Sequence, residues 1–371
     1  MIFHPPSSPI QISFKWLVPA FLVIISWLGL TIGCGHSDLT PSVVLYVSAD
    51  EHLARQIITV FEKETGIRVD ILGDSELKKT TGLVERLRAE RDNPKADVFW
   101  SSEVFMTIAL AEEGVLAAHH STVTEHWPAG YRDLAGKWYG LANRARVVVY
   151  AEDRIPLSEL PTTWMELADP KWKGRLVMAD PRFGTTGGHL GVMKWYWDRE
   201  SGQEMYTSFL RGLAANGIQL LPGGNAAVVD AVARGETDLG LTDTDDVWAA
   251  QAGGLKVGVI YPRHKASTGE NDSGGGTLLI PNTVALISGG PHPKEAGQLI
   301  DFLLSERVER MLAESLSHNI PVHSSLAEAF PEYAVENPLK VDYVDAAGMR
   351  VDAVEEAMRI LTGGGTERGS E

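Results

Sequence analysis

The chain has 371 residues, of which 44% are apolar and 22% are charged, and its formal net charge is −16 at pH 7. This length and composition exclude a disordered or collagen-like chain and allow two lobes of comparable size. The acidic balance argues against nucleic acid and against an anionic lipid surface as partners, and it is compatible with a cationic ligand.

The N-terminus is typical of an export signal. Lys15 is the only Lys, Arg, Asp or Glu before an apolar run over residues 16–33, and Cys34, the only cysteine, follows directly. The local LTIGC resembles the bacterial lipoprotein signal, although Leu30 lies four places before the cysteine instead of three. We expect cleavage of residues 1–33 and lipidation of Cys34, with the rest of the chain in the periplasm or at the outer face of the cytoplasmic membrane. The alternative is an uncleaved anchor, because the apolar run is just long enough to span a bilayer.

Strands and helices alternate after this segment. VVLYVSA predicts a buried strand, and residues 52–65 predict an amphipathic helix that ends at Gly66. IRVDILG and ADVFW predict two further strands, which are followed by helices over residues 82–91 and 103–113. Alternation over short connections predicts a parallel sheet covered on both faces.

The same alternation resumes after a long apolar strand around residues 147–150. GRLVMAD and TDLGLT predict strands, and residues 188–198 and 226–234 predict helices. TLLIPNTVALI predicts a second long strand before a helix over residues 294–304. These two long strands flank the middle unit, as expected for the two crossovers of a bilobal protein that binds its ligand between the lobes.

Five segments resemble, in this order, the extracellular solute-binding proteins of bacterial ABC importers, with the greatest similarity to their ferric-iron-binding branch. The segments are VVLYVSADEHLARQIITVFEKETGIRVDIL, LVERLRAERDNPKADVFWSSE, PTTWMELADPKWKGRLVMADPRFGTT, AANGIQLLPGGNAAVVDAVARGETDLGLTDTDD and GTLLIPNTVALISGGPHPKEAGQLIDFLLSERVERMLAE. The resemblance covers roughly residues 43–325 and implies the type II periplasmic-binding-protein fold, in which two α/β lobes close on a ligand by a hinge. Because this superfamily carries iron, polyamines, thiamine, phosphonates and sugar phosphates, the ligand must be inferred from the cleft.

The predicted fold class is therefore α/β, with two lobes, a hinge of two crossover strands and a cleft between the lobes. The resemblance implies a permease in the cytoplasmic membrane as partner, and we expect a monomer that binds a small molecule or a metal. The expected domains are a signal peptide (1–33), a tether (34–42), lobe 1 (43–142), lobe 2 (143–276), a return to lobe 1 (277–325) and a C-terminal helical segment packing on lobe 2 (326–371).

Candidate ligand contacts in the first lobe follow its strands, because ligands in open α/β sheets bind beyond the carboxyl ends of the strands. In VSADEH, Asp50 either caps the next helix or contacts the ligand. In FWSSEVF, any of Ser101, Ser102 and Glu103 can face the ligand.

In the second lobe, PRFGTTGGH is typical of an anion-binding loop. Its glycines, including Gly187, permit close backbone approach, and Thr185 and Thr186 supply hydroxyls at a helix N-terminus. Asn225 matches an asparagine that contacts an anion in the family. Plain helix caps would select the same residue types, and this alternative stays open. Arg144 and Arg146 either contact an anion or form salt bridges at the hinge.

The segment LGLTDTDDVW places Thr242, Asp243, Asp245 and Asp246 between a strand and a helix. Helix capping explains one or two of the carboxylates, and three exceed that need. The family's iron binders have two adjacent tyrosines where this chain has Asp245 and Asp246, which puts tyrosine-type coordination in doubt. Oxygen ligands suit a hard cation such as ferric iron, with the threonines and Asn225 holding an anion such as carbonate, phosphate or citrate. A zwitterion, with its ammonium on the aspartates and its phosphonate or phosphate on the threonines, fits the same layout.

We therefore predict a binding protein that captures a small solute, preferentially ferric iron or an iron complex, and delivers it to a permease. The alternatives are a binding protein for a phosphonate or organophosphate zwitterion, a sensor that presents its bound state to a receptor, and a metal-dependent exported hydrolase. The sequence contains no G-x-S-x-G, H-E-x-x-H or P-loop motif and no cysteine nucleophile after Cys34, so we expect no enzyme. No cofactor is predicted beyond iron as cargo.

Overall fold

A ten-stranded mixed sheet runs through the part of the chain that the structure describes. This computed structural model describes residues 40–74, 80–200, 204–266 and 275–363. The strands are β1 (Ser42–Val47), β2 (Arg68–Gly73), β3 (Val98–Ser101), β4 (Leu116–Ala117), β5 (Tyr139–Tyr150), β6 (Leu176–Ala179), β7 (Gln219–Leu221), β8 (Leu239–Asp243), β9 (Gly258–Ile260) and β10 (Leu279–Ile287). Their order is β2-β1-β3-β10-β5-β8-β6-β7, with β4 on β10 and β9 on β5.

Helices connect these strands and pack against both faces of the sheet. They are α1 (Glu51–Thr65), α2 (Thr81–Ala89), α3 (Phe105–Glu112), α4 (Gly184–Glu200), α5 (Glu204–Ala215), α6 (Gly224–Ala233), α7 (Thr244–Ala252), α8 (Pro293–Leu303), α9 (Glu306–Glu314), α10 (Ser324–Ala327), α11 (Tyr343–Gly348) and α12 (Arg350–Leu361). Two buried apolar clusters lie in each half of the sheet, which accounts for the apolar runs in its strands.

The first half of the sheet contains the parallel strands β1, β2 and β3, as predicted. The helix between β1 and β2 has strong end signals. The Asp50 side chain accepts a hydrogen bond from the backbone N–H of Leu53 at 2.9 Å, and Gly66 ends the helix with a φ of 71°. The apolar stripe of α1 is buried through Ala54, Ile57, Ile58 and Phe61.

The two long strands β5 and β10 join the halves of the sheet. All 12 residues of β5 are buried. Tyr139–Ala145 pair with β10, whereas Arg146–Tyr150 pair with β8. A β-bulge at Ala142, with a φ of 40°, interrupts the pairing with β10. The predicted pair of crossover strands is confirmed, and one strand contributes to both halves.

The second half contains the parallel strands β6, β7 and β8, with β9 antiparallel to β5. The carboxyl end of β8 leads directly into α7, and that of β6 leads through a short turn into α4. A third helix N-terminus, that of α6, follows β7 after a turn. Three helix N-termini are therefore directed to the edge of the sheet where the sequence places its second-lobe candidates.

The segment PRFGTTGGH differs from its predicted structure. Helix α4 begins at Gly184, four residues before the predicted start at residue 188, so both threonines lie in its first turn. A Cβ on Gly187 would lie 2.3 Å from the carbonyl oxygen of Pro181, and one on Gly188 would lie 2.1 Å from the Phe105 ring. These glycines are required by close packing of the helix, not by a loop that approaches a ligand.

The C-terminal helices pack against other helices, mainly those of the second half. Helix α12 contacts α4 and α5, and the Tyr206 hydroxyl of α5 donates to the carbonyl oxygen of Ala353 at 2.7 Å. Helix α11 contacts both α4 and α3. Helix α5 itself was not predicted from the sequence.

The predicted signal peptide (1–33) and the lipidation site at Cys34 lie outside the described residues. Within the described ranges, no helix is both long and apolar enough to cross a membrane.

Candidate functional site

A cleft of about 630 Å³ opens at the carboxyl ends of the strands. The first half of the sheet contributes the ends of β1 and β3, including Ser48, Asp50 and Ser102. The second half contributes the end of β8 and the first turns of α4 and α6. The cleft therefore lies where the fold class predicts a ligand, with polar groups on both walls.

A buried ion pair lies at the cleft wall that the second half of the sheet contributes, termed here the second wall. Arg146 of β5 and Asp243 of β8 are direct neighbours across antiparallel strands, and both side chains have 0% exposure. The Arg146 Nη1 to Asp243 Oδ1 distance is 2.8 Å. Such a pair is stable only where further hydrogen bonds satisfy the remaining polar atoms.

The first turns of α4 and α6 supply those hydrogen bonds. The other carboxylate oxygen of Asp243 accepts from Thr185 Oγ1 at 2.6 Å and from Asn225 Nδ2 at 2.7 Å. Arg146 donates in turn to Thr186 Oγ1 at 3.1 Å and to Asn225 Oδ1 at 3.2 Å. Thr185 and Asn225, which the sequence assigned to an external anion, thus contact an aspartate of the chain, and Thr186 contacts the arginine paired with it.

A second ion pair lies closer to the open part of the cleft. Arg144 Nη1 is 3.1 Å from Asp245 Oδ2, with side-chain exposures of 11% and 16%. Arg144 Nη2 also donates to Asn282 Oδ1 of β10 at 2.8 Å. Burial lowers the pKa of Arg144, but the surrounding carboxylates, first among them Asp245, outweigh burial and raise it.

Asp243, Asp245 and Asp246, termed here the aspartate cluster, have geometry suitable for a metal ion. Each offers a carboxylate oxygen, and these three oxygens lie within 4.8 Å of one another. Asp243 is buried, whereas Asp245 and Asp246 are half-buried and line the cleft. Hard cations prefer such oxygen ligands. No tyrosine lines the described part of the cleft.

The hydroxyls of Ser48 and Ser102 line the facing wall, and the buried Thr80 bridges them. Ser48, Thr80 and Ser102 form a triangle in which Thr80 Oγ1 lies 3.0 Å from each serine Oγ. The backbone N–H of Ser102 also donates to Ser48 Oγ at 2.9 Å. Asp50 lies beside them but caps α1. This wall therefore presents hydroxyls opposite the aspartate cluster.

The structure separates the predicted site residues into two groups. Eight of them line the cleft: Asp50, Ser102, Thr185, Thr186, Asn225, Asp243, Asp245 and Asp246. The other four, Ser101, Glu103, Gly187 and Thr242, are buried and absent from its lining.

Each of these four has another structural role. The Glu103 carboxylate accepts from the backbone N–H groups of Phe105 and Met106 at 2.8 and 2.9 Å, and burial raises its pKa. Ser101 Oγ donates to the carbonyl oxygen of Glu103, and Thr242 Oγ1 donates to that of Asn225. Gly187 packs within α4. All four residues therefore make contacts in the protein interior and do not line the cleft.

Two buried histidines near the cleft were missed by the sequence analysis. His264 Nδ1 lies 2.8 Å from the carbonyl oxygen of Gly276 and must donate to it, so in the neutral ring Nε2 is an acceptor. His189 Nε2, at 3.0 Å, therefore donates to His264, and His189 Nδ1 accepts from Arg146 Nε at 3.2 Å. This relay fixes the orientation of Arg146.

Burial keeps both histidines of this relay neutral. Burial lowers the pKa of His264 to about 4, despite the opposing hydrogen bond to Gly276. Burial, the partner His264 and Arg146 lower the pKa of His189 well below its usual value. In the sequence only the GGH end of PRFGTTGGH hinted at His189, and nothing near His264 resembled a site.

The two-lobed α/β architecture, with its long crossover strands and polar cleft, is the fold of the type II periplasmic binding proteins. The chain belongs to the bacterial extracellular solute-binding protein family, whose model matches residues 93–347. This membership confirms the class that the five sequence segments predicted.

Relatives within this class differ in their cargo. Iron uptake protein A1 of Synechocystis sp. is 27% identical over 337 residues, which cover 85% of this chain and 88% of the relative. A putative 2-aminoethylphosphonate-binding periplasmic protein of Salmonella typhimurium is 28% identical over 275 residues, covering 74% of this chain and 75% of the relative. The solved structure of iron-bound HitA from Pseudomonas aeruginosa has a TM-score of 0.72 at 24% identity and covers 85% of this chain and 99% of that chain.

Proposed function

We propose that this chain is the substrate-binding component of an ABC importer and that its cargo is ferric iron, as the ion or as a small complex. The observation that carries the choice of cargo is the aspartate cluster, because its three carboxylate oxygens lie within 4.8 Å of one another and two of them belong to half-buried residues that would offer a hard cation its preferred oxygen ligands. Relatives named as iron uptake and ferric iron-binding proteins support the same cargo.

The cluster would bind metal mainly through its two half-buried members. Asp243 is already engaged by Arg146, Thr185 and Asn225, so Asp245 and Asp246 are the carboxylates that a cation in the cleft would reach. A metal at Asp245 competes with Arg144 for that carboxylate. Metal binding would therefore weaken the Arg144–Asp245 ion pair, in which Arg144 belongs to the crossover strand β5.

We further propose how the chain takes part in transport and where it is located. A cargo that contacts both walls stabilises the closed form, because it binds that form with higher affinity. The permease then recognises the closed form. We propose lobe 1 at residues 43–142 and 277–325 and lobe 2 at 143–276 with the C-terminal segment. The chain acts as a monomer without catalytic activity, outside the cytoplasmic membrane and anchored by a lipid on Cys34.

A zwitterionic phosphonate is the second candidate cargo. Arg144 and the hydroxyls of Ser48 and Ser102 would receive its phosphonate, and Asp246 would receive its ammonium. Its support is the resemblance to proteins named as putative 2-aminoethylphosphonate-binding proteins.

A thermal-shift titration of the metal-stripped, full-length protein separates the two. The probes are ferric citrate, ferric nitrilotriacetate, redox-inert Ga³⁺, 2-aminoethylphosphonate and inorganic phosphate. A ligand at a hundredfold excess over its dissociation constant stabilises the protein by about 2.7 kcal/mol. We expect stabilisation by both ferric complexes and by Ga³⁺, without the phenolate charge-transfer colour of a ferric tyrosinate. Stabilisation by 2-aminoethylphosphonate alone would show that the cargo is a phosphonate and not iron.

A further inference from the structure

The surroundings of the Asp243 carboxylate have the composition of an anion-binding subsite. One oxygen accepts from the guanidinium of Arg146 at 2.8 Å, and the other accepts from Thr185 Oγ1 at 2.6 Å and Asn225 Nδ2 at 2.7 Å. The donors come from a strand and from two helices that are far apart in the sequence. They converge on one carboxylate with 0% exposure.

The positions of these donors add to the positive character of the subsite. Thr185 lies in the first turn of α4 and Asn225 in the first turn of α6, where helix dipoles and free backbone N–H groups favour negative charge. Arg146 has no exposed side-chain surface and is held on its far side by His189. Without Asp243, this part of the wall would carry a buried positive charge with several donors and no anion.

We propose that Asp243 is a built-in anion: it fills a subsite that would otherwise take a small external monoanion, so cargo binds without an accompanying anion at this position. This inference rests on the proposed function in taking the cargo to be a cation. Arg146 neutralises Asp243, and the carboxylates that remain for cargo belong to Asp245 and Asp246. The cleft therefore prefers cations to anions, because an anion would need the hydrogen bonds of Thr185 and Asn225, which Asp243 already accepts.

Chemical rescue of Asp243→Ala tests the subsite in the empty protein. The substitution removes the carboxylate and leaves Arg146, Thr185 and Asn225 around a space of its size. We expect a lowered melting temperature that formate, acetate or bicarbonate restores with a saturable concentration dependence. The matched control is Asp246→Ala, which removes a half-buried member of the same cluster and is expected to show no anion-dependent recovery. Failure of every small anion to stabilise a folded Asp243→Ala variant overturns the proposal.

A second measurement on the unmodified protein remains decisive even if the alanine variant does not fold. The affinity for Ga³⁺ is measured in buffer free of carbonate and phosphate, and again with each anion added. We expect affinities within twofold of each other, whereas a tenfold or greater gain with an added anion overturns the proposal. If Ga³⁺ and ferric complexes fail to bind at all, the proposed cargo is wrong, and a positive rescue of Asp243→Ala still establishes the filled subsite.

Discussion

Arg146 and Asp243 face each other across β5 and β8, with 2.8 Å between Nη1 and Oδ1 and no exposed side-chain surface on either residue. The pair connects the long crossover strand to the edge of the cleft. It also connects the first turns of α4 and α6 to the buried histidines, because Arg146 contacts Thr186, Asn225 and His189. One ion pair therefore organises the second wall of the cleft.

Removing the arginine should strongly destabilise the protein. Arg146→Met leaves the Asp243 carboxylate buried without its counter-ion, and breaking a buried pair in this way costs roughly 3–5 kcal/mol. The free energy of unfolding in urea measures the loss. The control is Arg55→Met, since Arg55 and Glu51 form a pair with side-chain exposures of 57% and 48%. That exposed pair should contribute at most about 1 kcal/mol. A similar loss in both variants would contradict this account.

The relay histidines predict a specific pH dependence of stability. The folded-state pKa of His264 is about 4, below the value of about 6.5 for an exposed histidine. Between these values the unfolded chain binds a proton that the folded protein excludes. Stability is therefore fully present above about pH 6.5 and is lost as the pH falls toward 4, by roughly 3 kcal/mol at most.

Urea unfolding between pH 7 and pH 4.5 isolates this contribution. His264→Gln should lose less stability over this range than the unmodified protein, because the titrating ring is gone. The control is the exposed His52, and His52→Gln should keep the unmodified pH dependence. Parallel curves for all three proteins would show that His264 is not excluded from protonation by the fold.

Asp246 should matter for cargo and little for stability. Asp246→Asn removes one of the two half-buried carboxylates of the aspartate cluster, and we expect at least a tenfold loss of affinity for ferric citrate. The melting temperature of the empty protein should change by no more than a few degrees. Calorimetric titration measures the affinity, with Asp352→Asn, an exposed change on α12, as control. Equal affinities in the two variants would place the cargo away from the aspartate cluster.

Glu103 should show the opposite pattern. Glu103→Ala removes the acceptor for the backbone N–H groups of Phe105 and Met106 at the start of α3. Loss of such a cap costs about 0.5–2 kcal/mol. Affinity for the cargo should be unchanged, because Glu103 does not line the cleft. A loss of affinity with unchanged stability would mean that Glu103 turns into the cleft when cargo binds.

The fold class, most helices and strands, and the edge of the sheet at which the cleft lies could all be predicted from the sequence. These features depend on local signals: apolar periodicity, the Asp50 and Gly66 helix ends, and the rule that ligands bind beyond strand ends. The same signals placed the aspartate cluster directly after β8, because Asp245 and Asp246 follow an apolar run and begin a helical pattern.

Which of these polar groups face the cleft, and which contact one another, depends on the tertiary fold. Arg146 and Asp243 are 97 positions apart, and their pairing depends on the register of β5 against β8. Whether Thr185 and Asn225 hold an external anion or Asp243 depends on where α4 and α6 begin relative to that strand end. A single sequence contains no local signal for such distances, because backbone register and helix packing are properties of the whole fold.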